Sequence, residues 1–513
     1  MSLYETNFTG LDWAIVAIYL GSSIFIGLWA NRYVGGLSDY LVAGRTLRIR
    51  LALATMTGTE LGLVTVMYSS ELGFRQQYAS LYLAIYEFVT LLIVGLTGFI
   101  VYRLRQTAVL TIPEYYEQRY TRGVRIVGAC MMVISGVLNM GLFLKAGAEF
   151  LTAISGFSDP LYLKLIMTAL LLLVLFYTVL GGMVSVVITD LIQFIVLGIG
   201  MLVVSSFVLY EIGFDGFGKV VTQHEGSYNP IESPGPITLV SQAAVLFAAV
   251  ILWPAGASRM LSVRSSEVAQ KLYLYSTIPF LSRRALPALW GIGAFAFFAS
   301  QPEMQAAFSA AIADENSSTT TLSAMPLFLA KIIPTGLLGI VTAGMVAAFM
   351  STHDSYLLCW SGVITQDIVA PIAGELTDKA RINVTRVAIV LIGAALLFWG
   401  LWYEVSTDLW QYMSVTGTVY VAGVFPVVAG GLYWKRSSSV GAYIALLGGL
   451  MGLWAMTPGI KFLNSLEVVK SIGIEITDGH MMLVTFTTTI TGFVFGSILF
   501  PDPPRESDEN NGA

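Results

Sequence analysis

Long apolar runs, separated by short polar stretches, recur along almost the whole chain of 513 residues. A helix that crosses a membrane needs about 20 mostly apolar residues. Thirteen runs meet that requirement, at 11–30, 51–73, 78–102, 124–152, 161–180, 184–210, 236–257, 272–299, 334–365, 383–403, 408–433, 439–457 and 480–500. The gaps are loop-sized, so the pattern predicts an all-α polytopic membrane protein without a separate soluble domain. The polar tail from 501 to 513 is predicted to be disordered.

Composition supports this class of protein. Hydrophobic residues make up 56% of the chain and charged residues only 12%, whereas soluble domains have about 25% charged residues. The net charge of −5 argues against a surface that binds nucleic acid. The two cysteines, Cys130 and Cys359, both lie in apolar runs, so neither a disulfide framework nor a metal cluster is expected from them.

The basic residues predict how the spans are oriented. With thirteen spans the two chain ends lie on opposite sides of the membrane. If residues 31–50 are cytoplasmic, 18 basic residues fall on that side and 6 on the other. This count assigns Arg259, Arg264 and Lys271 to one cytoplasmic loop. Because cytoplasmic loops are enriched in lysine and arginine, we expect an outer N-terminus, a cytoplasmic C-terminus and a location in the plasma (inner) membrane.

Several ionisable side chains fall inside the predicted spans. They are Glu60, Glu87, Lys145, Glu149, Asp190, Arg283, Arg284, His353 and Asp354. Such groups are costly in a membrane and usually face a cavity or a partner. The alternative for each is a structural ion pair inside the bundle. For Lys145 and Glu149, one helical turn apart, a pair between the two is as good an interpretation as a role in binding.

Two spans carry the polar pattern of an ion site. Residues 54–60 are small, β-branched or polar, so we expect this stretch to unwind and to expose carbonyls; an intact helix that uses Gly58 for close packing is the alternative. In the ninth span Ser351, Thr352, Asp354 and Ser355 place four oxygen-bearing side chains near one turn. Such hard ligands suit sodium, although hydroxyls can instead bond to their own helix.

Asp190 is a lone carboxylate in a long apolar run of the sixth span. It requires a cation, a proton or a basic partner. Together with the hydroxyl-rich ninth span, it indicates an ion-coupled transporter. These features do not by themselves exclude a channel.

Five motifs then carry a family resemblance, in family order. They are SDYLVAGR (38–45), TIPEYYEQRY (111–120), YTVLGGMVSVVITDLIQ (177–193), PTGLLGIVTAGMVAAFMSTHDS (334–355) and GVFPVVAGGLYWKRSSSVGA (423–442). Over residues 11–450 the chain resembles the sodium/solute symporters, which include bacterial proline, pantothenate, sialic acid and galactose transporters and the animal sodium/glucose cotransporters.

The resemblance implies a fold of the leucine-transporter type. Residues 1–500 would form one transmembrane transporter domain. Two inverted five-helix repeats, at 51–210 and 236–433, would follow one helix and precede two. The first helix of each repeat would be broken beside a site at the membrane midplane.

The resemblance also implies a sodium site. The carbonyls of Ala54, Thr57 and Ala348 and the hydroxyls of Ser351 and Thr352 match the general sodium ligands of the family.

A candidate second cation site matches Asp190, Asp354 and Ser355. Members with this site carry serines in place of Asp354. Two carboxylates would bind a cation more strongly or share a proton.

For the solute, the galactose-transporting member suggests one set of positions, and other features argue against a neutral sugar. Its sugar-site positions match Tyr86, Glu87, Thr90, Asn139 and Gln411, with Glu60 nearby. Three other positions differ, where Met56, Tyr275 and Ser414 stand here, and Trp253 is the local feature at the aromatic gate.

A neutral-sugar site would not need the basic side chains Lys145, Arg283 and Arg284. Near mid-depth, a guanidinium can hold a carboxylate through a bidentate fork. The alternative is that the arginines pair with Glu60, Glu87 or Asp354, and we favour that alternative for one of the two.

The sequence therefore predicts sodium-coupled symport of a small polar solute (carboxylate, amino acid or sugar) by alternating access. We expect sodium as the coupling ion and no other cofactor, lipid around the spans, no nucleic-acid partner and no enzymatic activity. A proton-coupled symporter of the same fold, or a sodium-conducting channel or sensor derived from it, is the alternative.

Overall fold

The fold is described here from a computed structural model. The described residues are 4–30, 46–157, 159–223, 228–301, 304, 306–308, 320–374, 376–402 and 409–503. The first family-like motif, at 38–45, lies outside them. The described part is helical, without a named strand, and one isolated bridge joins Leu47 to Val263.

The described residues form twenty-one α-helices, which are numbered in chain order. They are α1 Gly10–Ala30, α2 Ile49–Glu60, α3 Leu63–Gln76, α4 Tyr82–Thr97, α5 Val101–Gln106, α6 Ile112–Arg119, α7 Arg122–Met140, α8 Phe143–Ser155, α9 Pro160–Gln223, α10 Pro236–Leu252, α11 Pro254–Ser262, α12 Ser266–Ala299, α13 Ala324–Ile332, α14 Leu337–Val363, α15 Ala370–Ala373, α16 Asp378–Trp402, α17 Leu409–Tyr433, α18 Ser439–Gly448, α19 Thr457–Ser465, α20 Glu467–Ile472 and α21 Asp478–Leu499. A π-helix at Ile364–Val369 extends α14, and short 3₁₀ segments cover Gln77–Leu81, Thr321–Ser323 and Gly449–Ala455.

The predicted spans all fall in helical segments of the described chain. The fifth and sixth lie together in α9, which bends at Gly182, a residue with φ of 57°. By length and apolar composition alone, eight described helical segments are able to cross a membrane. A ninth is added if the pair Ser439–Ala455 and Thr457–Ser465, bent by 80°, counts as one span. The all-α polytopic fold is therefore confirmed, and the number of thirteen crossings stays a prediction.

The second predicted span is broken, but not where the sequence suggested. The stretch 54–60 does not unwind, because α2 remains helical to Glu60 and the break falls at Leu61 and Gly62. The polar residues of 54–60 are buried in α2 and reach neighbouring helices through their side chains. Gly62 permits the break to pack tightly, since a Cβ there would lie 2.2 Å from Oγ1 of Thr352.

The seventh predicted span is also broken. Helix α10 ends at Leu252, Trp253 is extended with φ of −62° and ψ of 126°, and α11 begins at Pro254. A residue that precedes proline is driven out of the helical region by steric contact with the proline ring. The Trp253-Pro254 pair therefore explains this break.

Helices α2, α9, α11 and α14 converge at the centre of the molecule. Helix α14 is buried along almost its whole length and makes its most extensive contacts with α9. Nearby, α12 packs against α3 and α4. The approach of α12 to α3 is very close, because a Cβ on Gly291 would lie 1.9 Å from the carbonyl oxygen of Ser70. This packing fixes the arginines of α12 beside the break between α2 and α3.

Candidate functional site

A cavity of about 100 Å³ lies between the two helix breaks. It is bounded by α2, α3, α4, α7, α10, α11, α12, α14 and α17. Its lining is mixed, with apolar side chains such as Val64, Leu246 and Phe280 beside acidic and basic ones. A concave space with a few polar groups on apolar walls is the usual form of a small-molecule site.

Seven of the eleven predicted solute-site residues line this cavity. They are Glu60, Glu87, Asn139, Trp253, Arg283, Arg284 and Ser414. Tyr86, Thr90, Lys145 and Gln411 are not among the lining residues. Tyr86 instead packs edge-on against Tyr82, with ring centroids 5.5 Å apart. A role for these four residues stays a prediction.

Arg283 is fully engaged by acidic partners. Its Nη2 donates to Oε1 of Glu87 at 2.7 Å and its Nε to Oε2 at 3.1 Å, which forms a bidentate pair. Its Nη1 donates to the carbonyl oxygen of Glu60 and, at 3.3 Å, to Oε2 of the same residue. Arg283 is therefore the more fully paired of the two arginines, and its partners are those of the structural alternative, Glu60 and Glu87.

Arg284 is held differently. Its Nε lies 2.5 Å from Oε1 of Glu87, an ion-pair contact without a hydrogen bond, and its buried Nη1 has no hydrogen-bond partner among the described residues. The guanidinium carbon lies over the ring of Trp410 at 4.5 Å and over that of Tyr68 at 5.1 Å. Cation–π contacts attract the group without using its N–H donors. Arg284 consequently retains donor capacity at the cavity wall.

Two acceptor atoms at the cavity also lack partners. Asn139 donates through Nδ2 to the carbonyl of Met413 at 2.9 Å and to Thr416 Oγ1 at 3.0 Å, but its Oδ1 accepts no hydrogen bond. Oε1 of Glu60 is likewise without a partner. At the gate position, Trp253 donates through Nε1 to the hydroxyl of Tyr356 at 2.8 Å. The site therefore offers unsatisfied donors and acceptors together.

The five positions matched to the sodium site lie at the contact of α2 with α14. Ser351 donates to Oδ1 of Asp190, and Thr352 donates to the carbonyl of Thr59 at 3.0 Å. Thr57 has a buried Oγ1 without a partner, while its carbonyl accepts from the amide of Leu61 at 2.8 Å.

The two remaining sodium positions, Ala54 and Ala348, are buried in the same helices. All five positions thus lie on two helices that contact each other, and the two ninth-span hydroxyls bond to neighbouring helices rather than to their own.

Asp190 accepts hydrogen bonds from side chains of two helices, α2 and α14. It is fully buried and accepts from Thr55 Oγ1 at 2.5 Å, from Thr59 Oγ1 at 3.3 Å and from Ser351. Its Oδ2 also lies 3.6 Å from Nη2 of Arg259. Asp190 therefore has both hydroxyl donors and a basic partner.

Asp354 and Ser355 lie directly beside this group. Asp354 accepts from the hydroxyl of Tyr177 at 2.9 Å and from Ser355 at 3.2 Å. Ser355 in turn accepts from Nη2 of Arg259 and contacts Thr59 Oγ1 at 3.1 Å. The predicted second-cation residues are thus brought together, with an arginine among them.

The assignment of Arg259 to a cytoplasmic loop was wrong. Arg259 is fully buried on α11. The seventh span was predicted to end at 257, whereas the helix that follows the break at Trp253 continues to Ser262. Thr55, Thr59 and Tyr177 were also missed. The spacing of Thr55 and Thr59, four residues apart on one helical face, was the available signal.

The model of the sodium:solute symporter family matches residues 40–450. The chain belongs to this family. Sodium-coupled symport across a membrane is therefore its function.

The symporter has relatives along most of its length. It is 26% identical to the sodium/glucose cotransporter of Vibrio parahaemolyticus, over 96% of this chain and 91% of that protein. It is 24% identical to sodium/proline symporter 2 of Staphylococcus saprophyticus, over 93% of this chain and 92% of that protein. It is 27% identical to the sodium-dependent multivitamin transporter of Oryctolagus cuniculus, over 88% of this chain and 70% of that protein. These proteins differ in their named solutes, so they leave the solute of this symporter open.

Solved structures share the fold. A substrate-bound, outward-open Na⁺-coupled sialic acid symporter superposes with a TM-score of 0.77 at 16% identity, and covers 97% of this chain and 99% of its own. MhsT in complex with L-phenylalanine superposes with a TM-score of 0.51 at 13% identity, and covers 88% of this chain and 98% of its own. At these identities the likeness shows the fold alone, and it confirms the leucine-transporter type.

Proposed function

We propose that the symporter takes up a small organic carboxylate that also carries a hydroxyl or amino group. The observation that supports this solute class is Arg284, whose Nη1 has no hydrogen-bond partner at the cavity. A buried donor without a partner costs free energy. A carboxylate is the group that a guanidinium binds best, because its two oxygens match the planar fork.

The charge balance of the cavity supports a carboxylate that enters together with sodium. Glu60, Glu87, Arg283 and Arg284 line the cavity and contribute two charges of each sign. A monocarboxylate and one sodium ion leave this balance unchanged when they bind together. A neutral sugar, or an amino acid whose ammonium group cancels its carboxylate, would leave the charge of the sodium uncompensated, so this balance favours a hydroxy acid within the proposed class.

Two acceptor atoms at the cavity support a hydroxyl or amino group on the solute. Oδ1 of Asn139 and Oε1 of Glu60 lack partners. Both accept hydrogen bonds, so they would pair with hydroxyl or ammonium groups of the solute. A hydroxy acid or an amino acid supplies these donors together with a carboxylate.

For the coupling ion we propose the site of Ala54, Thr57, Ala348, Ser351 and Thr352. Sodium at this site would bridge α2 and α14. We further propose that the N-terminus lies outside the plasma membrane, that sodium enters from there, and that it is released inward when the two helices separate. The coupling would arise because sodium binds the outward-open state better than the inward-open state.

The energy of one sodium ion suffices for strong accumulation of the solute. One charge that crosses 100 mV yields about 2.3 kcal/mol, and a tenfold concentration gradient adds about 1.4 kcal/mol. Together, about 3.7 kcal/mol supports a solute gradient of about 500-fold.

A ligand panel tests the function and the solute class together. Thermal stability of the detergent-purified protein is measured in sodium or choline with carboxylates, hydroxy acids, amino acids and sugars. A ligand that binds only the folded state raises stability by mass action. We expect stabilisation by sodium, with an added effect of one hydroxy or amino acid only when sodium is present. Stabilisation by acid instead of sodium would favour proton coupling, and stabilisation by sugars alone would contradict the solute class.

The variant Arg284→Gln tests the residue that supports the proposal. Loss of one charge-assisted contact weakens binding by about 1.5–3 kcal/mol, which is about 10–150-fold in affinity. We expect that loss for the solute and an unchanged sodium half-saturation. Arg284→Lys keeps the charge without the fork, so it should recover part of the affinity. Full solute affinity in Arg284→Gln would contradict the assignment.

A further inference from the structure

Arg259 lies inside the group predicted to hold a second cation. Its Nη2 donates to Oγ of Ser355 and is 3.6 Å from Oδ2 of Asp190. Its Nη1 donates to Ser258 Oγ at 3.0 Å and to the carbonyl of Ala255 at 3.5 Å, both on its own helix. A positively charged side chain is thus already present where sodium would bind.

The guanidinium is only partly compensated in this place. Arg259 is fully buried, and its Nε has no hydrogen-bond partner. Within the described part of the chain, Asp190 is the one carboxylate at ion-pair distance, and this contact is not a hydrogen bond. A buried charge is stable only when it is well paired and hydrogen-bonded. A cation that fits these oxygens better is therefore able to compete with the guanidinium for them.

Sodium and the guanidinium require the same oxygens. A sodium ion held by Asp190, Asp354 and Ser355 would use the Ser355 oxygen that accepts from Arg259 and the carboxylate that pairs with it. The two cations would also repel each other inside a region of low dielectric constant. Both cannot keep these contacts at once.

We propose that Arg259 is a tethered competitor of sodium at the site formed by Asp190, Asp354 and Ser355. Sodium that binds there displaces the guanidinium, and α11, which carries Arg259, moves with it. This inference rests on the proposed sodium coupling and adds a residue that sets sodium affinity.

The position of α11 connects this exchange to the solute cavity. The helix begins directly after the break at Trp253, which lines the cavity. Near its start, a Cβ on Gly256 would lie 3.4 Å from Oε1 of Glu60, one of the acceptors without a partner. A shift of α11 therefore changes the wall of the cavity. Displacement of Arg259 would in this way link ion binding to solute binding.

The test compares Arg259→Gln with Arg259→Lys in the purified full chain. Sodium half-saturation is measured from thermal stabilisation, with choline as the replacement ion. Removal of the competing charge should lower the half-saturation concentration at least tenfold in Arg259→Gln, whereas Arg259→Lys should stay within threefold of the wild type. An unchanged or higher half-saturation in a folded Arg259→Gln protein overturns the proposal.

A double variant shows whether the gain acts through Asp190. Arg259→Gln with Asp190→Asn removes one charge of each sign, so it keeps the charge balance. We expect it to lose the tenfold gain. The same tenfold decrease in half-saturation concentration in the double variant would mean that Arg259 and sodium do not compete for Asp190, and the proposal would fail.

A measurement on the wild type covers the case in which Arg259→Gln does not fold. Hydrogen–deuterium exchange of residues 254–262 is followed in sodium and in choline. Displacement of Arg259 should raise uptake there in sodium, and Asp190→Asn should abolish the rise. No sodium effect on these residues overturns the inference. If sodium does not stabilise the wild type at all, the proposed function itself fails, so the two failures are distinguishable.

Discussion

The hydroxyl of Ser351 is able to serve two partners at the same time. In the structure it donates to Asp190, while the proposed sodium site would use its oxygen as a ligand. A hydroxyl carries one donor and two acceptor lone pairs. It can therefore keep its hydrogen bond to the carboxylate and still coordinate a cation. Ser351 would then join the sodium site to the cluster around Asp190.

This arrangement predicts the effect of Ser351→Ala. Removal of one of five ligands should raise the sodium half-saturation about tenfold or more, which corresponds to about 1.4 kcal/mol of binding free energy. The sodium half-saturation is measured by titrating the thermal stability of the detergent-purified protein with sodium. The melting temperature in choline, without sodium, should change little.

The same helix offers a matched control for that variant. Ser361 is also fully buried on α14, but its hydroxyl donates to the carbonyl of Leu358 in its own helix at 3.1 Å. Ser361→Ala should leave the sodium half-saturation unchanged. If Ser351→Ala also leaves it unchanged, Ser351 is not a ligand.

Individual polar residues were predictable from the sequence where their chemistry is costly in a membrane. Asp190, Ser351, Glu87 and Arg283 stood out because an apolar run gives such side chains few partners. Their partners were not predictable, since the pairing of Arg283 with Glu87 joins residues 196 positions apart. Nothing in the local sequence distinguishes Arg283 from Arg284, and only the packing of α12 decides which one is fully paired.

At the scale of elements, the two helix breaks have different causes, and this difference explains the error in one prediction. Trp253 is followed by proline, so the break there is written into the local sequence. The α2–α3 break depends instead on Gly62, where an added Cβ would lie 2.2 Å from Oγ1 of Thr352. That close approach belongs to the tertiary structure. The composition of 54–60 therefore indicated the right span but placed the break too early.

The contact of α12 with α3 yields a prediction about stability. A Cβ on Gly291 would lie 1.9 Å from the carbonyl oxygen of Ser70, and one on Gly73 would lie 2.1 Å from that of Ala288. Backbone atoms cannot move aside without a shift of the helix. Gly291→Ala should therefore lower the free energy of unfolding by about 2 kcal/mol or more, measured as a lower melting temperature.

A glycine on another helix serves as the control. Gly198 of α9 has nothing within 4 Å of an added Cβ. Gly198→Ala should be neutral or stabilise the protein by up to about 1 kcal/mol, since alanine favours a helix more than glycine does. Equal melting temperatures for the two variants would mean that α12 and α3 do not pack as closely as described.

At the scale of the whole molecule, the proposed orientation in the membrane rests on the distribution of charge along the sequence. Arg259 is buried in the bundle and no longer counts as a loop residue. The bias towards the predicted cytoplasmic side stays large without it, because only one of 18 basic residues is removed from that side and 6 remain on the other. The proposed orientation therefore does not depend on the error in the seventh span.

Cysteine labelling tests this orientation. Lys379 at the start of α16 and Lys470 on α20 are both exposed and lie on opposite predicted sides. Single variants Lys379→Cys and Lys470→Cys would be made in a background with Cys130→Ser and Cys359→Ser. A membrane-impermeant maleimide should label Lys470→Cys in right-side-out vesicles and Lys379→Cys only in inside-out vesicles.

The outcome bears on how sodium drives transport. If Lys470→Cys is labelled from outside, the inward sodium gradient and the negative interior of the cell act in the same direction on the proposed site, and both contribute to solute uptake. Both cysteines labelled from the same side would require an even number of membrane crossings between residues 379 and 470, where three are predicted. The reversed pattern would place the C-terminus outside. A parent protein without cysteines sets the background, and permeabilised vesicles should label both variants.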